Sequence, residues 1–496
     1  MANLYDTLDA SVLKRPGQYY LTDIKICSYR SGTDDSEPDK IAIDTMVAEV
    51  SIYESIYNKT LSGNLFIVDT QNIVGRMPLT GNERLEFKLF TPSSPFGYDF
   101  SEKSGHPMYI YKITNRVATG PRQQAYIIHF CSKEMIQNEL TYVPTAMNTS
   151  YDLMVADIVK NPFFLGSNKN FYFEPSIGLH KHVFGQDRPF DAIDQLSKNT
   201  ISQKFYNAGY YFYETSRGFN YKSLESMLAV ESNTARPAVA RFRPKPSNIA
   251  DGKGNQDIKN EMQIAIDYKI MDQFDQLKNL RNGVYANVLV THDQFYKTLK
   301  TQTFNYEDEY GKMFHTETNK NGGREEEKGI LPKYIREGKT LSELPNGTIY
   351  LASNTSKRHG DIQRPDPNQI LQRRLSQRLS FASLKLQLTV NGFTGIQAGD
   401  LITYEMPSYE PKTGGEQNDN DVYLSGRYLV TSVRHQINQA NKKHIMVLEC
   451  QKDSVRRPYP QEINDTFINR EKKQEGIIDI YEFDKILLAG LSSTFK

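Results

Sequence analysis

The residues from Leu384 to Cys450 constrain the fold more than any other stretch. Leu384-Lys385-Leu386-Gln387-Leu388-Thr389-Val390 alternates apolar and polar side chains without a break, the pattern of a β-strand with one buried face. Asn391-Gly392 then supplies a residue pair that tolerates positive φ in a tight turn. After Ala398-Gly399-Asp400 a second alternating run, Ile402-Thr403-Tyr404-Glu405-Met406, is stopped by Pro407-Ser408. The polar segment from Glu410 to Asp421 reads as a loop, and further strands are predicted over 428–435 and 444–450. Four short antiparallel strands must cover their edges, and a small closed barrel is the economical solution.

A similar cassette stands much earlier. Leu79-Thr80-Gly81-Asn82-Glu83 precedes Arg84-Leu85-Glu86-Phe87-Lys88-Leu89-Phe90, and the run stops at Thr91-Pro92-Ser93. In both places a glycine and an acid lead into an alternating strand that ends near Pro-Ser, with other strands at similar spacing around it. The pattern predicts an internal duplication with two related barrels.

Taken in order, residues 1–40 are polar, and Met46–Tyr53, Leu65–Val68, Met108–Val117 and Tyr126–Ser132 join the first cassette in a barrel that ends near residue 140. From Ser150 to Thr200 the apolar period changes to about 3.6, with helices expected over Tyr151–Val159 and from Pro189, since proline suits a first helical position. Tyr210–Thr215 and Phe219–Tyr221 form a hairpin around Ser216-Arg217-Gly218, expected to open the second barrel. Arg236–Gly254 reads as loop, and Met271, Phe274, Leu277 and Leu280 as a helix closed by Gly283. The prediction is an α+β, mainly β chain with two similar antiparallel β-barrel domains, an inserted α/β domain and a C-terminal arm. The boundaries are 1–140 for the first barrel, 141–205 with 230–370 for the insertion, 206–229 with 371–455 for the second barrel, and 456–496 for the arm. That arm carries Tyr481, Phe483, Ile486, Leu487 and Phe495 and is too apolar to stand alone in water. It either packs on its own chain or docks on another subunit.

Composition excludes several classes. The 60 basic and 59 acidic side chains balance, so no basic footprint for sequence-specific nucleic-acid binding exists. Cys27, Cys131 and Cys450 are too far apart for a disulfide framework or a zinc pattern, and are expected in buried strands of a protein made in a reducing cytoplasm. The first residues carry no apolar leader pattern, and no window is long and apolar enough for stable membrane insertion. The 31 tyrosines suit wet interfaces.

Candidate chemistry is sparse. Gly338-Lys339-Thr340 ends like a phosphate loop, but Lys333 stands where the first glycine should be. His180 and His182 share a strand face without an acidic or cysteine partner at ligand spacing. Asp419-Asn420-Asp421 lacks the glycine and final glutamate of a calcium loop. Glu307-Asp308-Glu309 and Glu325-Glu326-Glu327 read as solvated charge runs, and Arg373, Arg374 and Arg378 as a cluster too small for a nucleic-acid site. No catalytic, cofactor or metal constellation is predicted.

Four stretches in register carry a resemblance. Val50-Ser51-Ile52-Tyr53-Glu54-Ser55-Ile56 with Leu61-Ser62-Gly63, Gly81-Asn82-Glu83 with its strand, Ala208–Thr215 with Gly218-Phe219, and Val390-Asn391-Gly392 with Ala398-Gly399-Asp400 resemble the baseplate hub protein of contractile-tailed bacteriophages, a family also found in phage-derived injection machines. The resemblance spans about residues 40–450; the polar span 305–370 and the residues after 455 lie outside it. It implies a structural, non-enzymatic virion protein of the tail baseplate, made in the host bacterial cytoplasm. It further implies a homotrimeric ring of six barrels that adapts a threefold central spike to a sixfold tail tube. The implied partners are tail tube proteins, the spike, the tape-measure protein and the surrounding baseplate wedge proteins, with a neutral or acidic bore that passes tape measure and DNA. The alternatives are a tail-associated peptidoglycan hydrolase, which needs a glutamic acid in an apolar pocket, and the equivalent hub of a phage-derived secretion system.

Overall fold

A computed structural model describes residues 3–9, 12–28, 40–81, 83–92, 94–231, 234–245, 258–293, 297–317, 339–351, 369–408, 420–421 and 423–455. The chain is α+β and mainly β. Twelve strands make two barrels, and we number them in chain order. The first barrel holds β1 (Tyr20–Cys27), β2 (Val47–Ser55), β3 (Ser62–Asp69), β4 (Arg84–Phe90), β5 (Met108–Gly120) and β6 (Gln123–Ser132). The second holds β7 (Ala240–Pro244), β8 (Ile264–Asp272), β9 (Leu384–Asn391), β10 (Leu401–Tyr404), β11 (Gly426–Asn438) and β12 (Lys443–Lys452).

The strand order is the same in both. The first barrel runs β1-β4-β5-β6-β3-β2 and the second β7-β10-β11-β12-β9-β8, each strand six numbers beyond its counterpart. The second ring closes by pairing β8 with β7, whereas in the first the short strand Lys40–Ala42 lies on β1 and leads into β2. The first strand of each set differs in sense: β1 is antiparallel to β4, β7 parallel to β10.

The duplication extends to irregularities. Ile110 faces Phe130 and Lys112 faces His129, with a bulge between; 320 residues on, Val430 faces Cys450 and Ser432 faces Glu449 around the same bulge. Val47 faces Ile67 and Glu49 faces Phe66 with a bulge at Ala48; Ala265 and Asp267 repeat that bulge at Ile266. A bulge inserts one residue and re-aims a strand. Finding the same bulge at the same rung in both sheets marks one inherited unit.

Alternation builds the cores. In β9 Leu384, Leu386, Leu388 and Val390 point into the second barrel, joined by Phe242, Tyr404, Val433 and Leu448. The first core gathers Val50, Ile52, Leu65, Leu85, Phe87, Ile128 and Phe130. Cys27, Cys131 and Cys450 are buried and unbridged, each in a strand.

Five expectations are corrected. The hairpin Tyr210–Thr215 with Gly218–Ser223 is not in the second barrel; Phe212, Phe219 and Tyr221 fill a separate core with Val155, Ile158, Ile193 and Leu196 from helices Tyr151–Lys160 and Pro189–Asn199. Its apolar residues face those helices, a contact that strand pattern alone cannot reveal. The first strand of the second barrel comes instead from Ala240–Pro244, inside the segment read as loop, and its second from Ile264–Asp272. There the two-residue alternation wins over the three-residue recurrence of Met271 and Phe274, and helix is confined to Gln276–Arg281. Finally, Tyr5, Leu8 and Leu13 belong to the second barrel's core, held by Leu4 N–H donating to Val239 O, and not to the first. The span expected as one insertion holds two cores: beside the helical one, Val284, Tyr285, Phe304, Tyr306, Tyr310 and Leu341 form their own cluster around a three-stranded sheet. The arm residues Tyr481, Phe483, Ile486, Leu487 and Phe495 lie outside the described residues.

Candidate functional site: the barrel seam and its buried clasps

The two barrels meet by strand pairing. The C-terminal half of β11 parts from β10 and, while still paired with β12 on one edge, runs antiparallel along β2 on the other, Ser432 facing Ser55, Arg434 facing Tyr53 and Asn438 facing Glu49. Ile437, a residue of the second barrel, is thereby buried in the first barrel's core. Such a seam is formed by main-chain hydrogen bonds in a fixed register, with side chains on alternate faces supplying selectivity.

Behind the seam, buried acids hold the modules together. Glu54, in β2, accepts hydrogen bonds from Tyr98 Oη at 2.7 Å, Ser216 N at 2.8 Å and Ala398 N at 3.2 Å. One carboxyl thus joins the first barrel, the hairpin turn and the second barrel. Burial pushes its pKa up to about 7 against the three donors, with Asp400 adding to the rise. Asp400 stands beside it, with Arg236 Nη2 at 2.8 Å; burial lifts this carboxyl despite the guanidinium. The cassette glycines serve these acids. Gly81 and Gly399 both have positive φ, 101° and 86°, and let Glu83 and Asp400 accept from the N–H three residues back, Thr80 and Gln397.

A second clasp is ionic. The buried Lys169 ammonium donates to Glu134 Oε2 at 2.7 Å and Glu214 Oε1 at 2.6 Å. Glu134 also accepts from Ser167 Oγ, and Glu214 from Leu61 N and Ser132 Oγ. Burial alone would lower the Lys169 pKa; the two carboxylates outweigh it and hold it at about 12. Burial raises Glu214, while for Glu134 the ammonium overcomes burial and lowers it. A third clasp ties β12 to the small sheet module, where Asp453 accepts from His315 Nδ1 at 2.8 Å and Thr316 N at 3.0 Å.

The sequence candidates for chemistry resolve into structure. Thr340 begins a one-turn helix and its N–H donates to Glu343, so the Lys339-Thr340 pair caps a turn; Gly338 is outside the described residues. His180 stacks on Tyr151 with ring centroids 4.1 Å apart and shares a hydrogen bond with Ile177 O, while His182 packs on Phe184. Asp421 accepts from Tyr423 N and Leu424 N in a turn, and Asp419 lies outside the described residues. Glu309 pairs with Arg373 and Lys312, and Arg374 donates to Lys198 O. Glu325-Glu326-Glu327 is outside the described residues. Among the described residues no group of three His, Cys, Asp or Glu could hold a metal ion, and no helix is long and apolar enough to cross a membrane. Sequence reasoning missed the clasps. Glu54 falls on the inward parity of Val50 and Ile52, and Glu214 on that of Tyr210 and Phe212, a signal that an acid is to be buried; Lys169 carries no such signal.

No family model matches the chain, and no curated protein does. Among solved structures, it is similar to the tail protein from Neisseria meningitidis MC58, at 9% identity over 88% of this chain and 97% of that one, with a TM-score of 0.47. The 43 kDa tail protein of prophage MuSo2 from Shewanella oneidensis gives 9% identity, 86% and 97% coverage and a TM-score of 0.47. An E. coli component of the type VI secretion system gives 8%, 89% and 80%, and 0.38. The chain is therefore similar to phage tail proteins and to a component of a related secretion machine. At these scores the likeness carries no residue's role across.

Proposed function

We propose that this chain is the structural hub of a phage tail baseplate, a homotrimer in which three copies of two barrels make a six-barrel ring. The ring adapts a threefold central spike to a sixfold tail tube, and its bore passes tape measure and DNA; wedge proteins surround it. The observation that carries this reading is the bulge-for-bulge duplication joined by a strand-paired seam. Two like units linked side by side through unlike edges form a heterologous contact, and such a contact, repeated, makes a ring when its rotation closes. The clasps support a mechanical role, since their charged groups are spent on holding modules together.

A peptidoglycan hydrolase would need an accessible glutamic acid with a raised pKa. Glu54 and Glu225 are raised to about 7 by burial, but both are sealed in the interior and occupied by protein donors. Neither borders the cleft of about 380 Å³ at Glu309 and Arg373 or the one of about 300 Å³ at Tyr211 and Arg378. The equivalent hub of a phage-derived injection machine is the neighbouring reading. Light scattering on the purified chain, alone and with its spike, tests the proposal. A mass of three times 56.9 kDa per hub is expected; a monomer or dimer under both conditions overturns it.

A further inference from the structure

The seam leaves a matching pair of edges unused. β11 and β5 are counterparts, each of 13 residues, each starting beside its cassette strand and then running free of it. The free part of β11 lies on β2. The free part of β5 pairs with β6 on one side and with no described strand on the other. Similarly β2 and β8 are counterparts. β2 is covered by β11 from Glu49 to Ser55, whereas β8 touches β7 only at Ile264 and Ala265, and beyond that its outer edge meets no described strand.

Burial follows pairing. Val50 and Ile52 in β2, and Ile437 in β11, are fully buried in the first core, whereas Tyr268 and Ile270, the β8 counterparts of Val50 and Ile52, are only half-buried against the second. On the unpaired counterparts Ile266 is 41%, Met271 48%, Tyr111 52% and Val117 58% exposed. Among the described residues, the same strand is thus paired on its outer edge in one copy of the unit and unpaired there in the other. Bare strand edges with apolar residues are costly in a soluble protein and invite another strand.

We infer that the β8 edge, residues 267–272, pairs antiparallel with the β5 edge, residues 112–119, of a second copy of this chain. The contact reproduces the internal seam between molecules. This inference rests on the ring reading above and names the surface that closes it. The register follows from the duplication: Arg434 faces Tyr53 at the seam, Thr114 is the counterpart of Arg434, and Tyr53 corresponds to the Met271–Asp272 step. Each edge carries an irregularity here that the seam strands lack, at Asn115 (φ 53°) in β5 and at Met271 in β8. Thr114 is therefore placed opposite Met271 or Asp272 of the neighbour. Used by every copy, the contact leaves neither edge bare.

Disulfide trapping tests it in the full chain. Thr114→Cys is combined with Met271→Cys, and separately with Asp272→Cys, at concentrations where wild-type assembly is followed by light scattering. Arg434→Cys with Tyr53→Cys is the internal control for the same geometry within one chain. Mild oxidation should link copies into dimers and closed trimers in at least one of the two pairs. Trimers without an intermolecular link in either pair, while the control closes, overturn this inference and leave the ring reading standing. A monomer with no link at any concentration overturns both. Hydrogen exchange on the unaltered chain gives an independent readout. Amides 112–119 and 267–272 should exchange at least about tenfold more slowly in the assembled than in the dilute protein, and equal rates overturn the inference.

Discussion

Replacing Lys169 with methionine is the sharpest perturbation of the clasps. The ammonium sits 2.7 Å from Glu134 and 2.6 Å from Glu214, and all three side chains are buried. At an effective dielectric of about 20, each contact is worth roughly 6 kcal/mol of attraction, most of it offset by the cost of taking the charges out of water. Removing one partner leaves two carboxylates buried without a counter-charge, a loss of about 3–5 kcal/mol. Methionine keeps the volume, so a cavity contributes little. The folded pKa of each carboxyl then rises above its unfolded value, near 4.5. The folded variant binds more protons than its unfolded chain above pH 4.5, so its stability falls as pH rises. The loss should be full at pH 7.5 and shrink by about 1.4 kcal/mol per pH unit toward pH 5, for each carboxyl that holds its proton. Because several cores share the chain, a single unfolding energy is ill-defined, and exchange of amides in 133–140 and 210–223 is the better assay. At pH 7.5 those amides should exchange about a hundredfold to a few thousandfold faster in Lys169→Met. Adding Glu134→Gln and Glu214→Gln should restore most of the protection. Unchanged protection in the single variant, or an equal loss at pH 5 and pH 7.5, would refute the reasoning.

Two further outcomes follow from the seam. Glu54 has a folded pKa raised to about 7, so its contribution is present below pH 4.5 and is lost as pH rises to 7, up to about 3 kcal/mol in all. Thermal melts should show Glu54→Gln gaining on wild type between pH 5 and pH 8; a constant difference contradicts this. Ile437→Ala removes a second-barrel side chain from the first barrel's core and should cost about 2–5 kcal/mol. Exchange should quicken in 49–55 and 432–438 while Leu384–Asn391 stays protected, and uniform loosening would show that the seam is not a separable unit.

Much of the barrel architecture was legible because period-two alternation is a local signal: β4 matches its predicted run residue for residue, and β9 runs one residue past its own, to Asn391. The first strand of each barrel was not. Tyr20–Cys27 and Ala240–Pro244 are short or interrupted by polar residues, and each pairs on one edge with a strand more than 50 residues away in sequence. The hairpin at Tyr210 was recognised as a hairpin and assigned to the wrong core, since an apolar strand face does not say what covers it. The seam itself was invisible for a similar reason: β11 reads as one strand, and nothing local marks where its edge passes from β10 to β2. The repeated Gly-acid cassette was the useful clue, because positive φ at Gly81 and Gly399 is a backbone requirement that side-chain drift cannot disguise.

End-on averages of the assembled hub by electron microscopy test the central claim most directly. A trimer of doubled barrels predicts six similar lobes at equal angular steps around an open axis, with threefold differences confined to the outer modules. Three lobes, a closed axis, or an assembly of two or four copies would contradict the account.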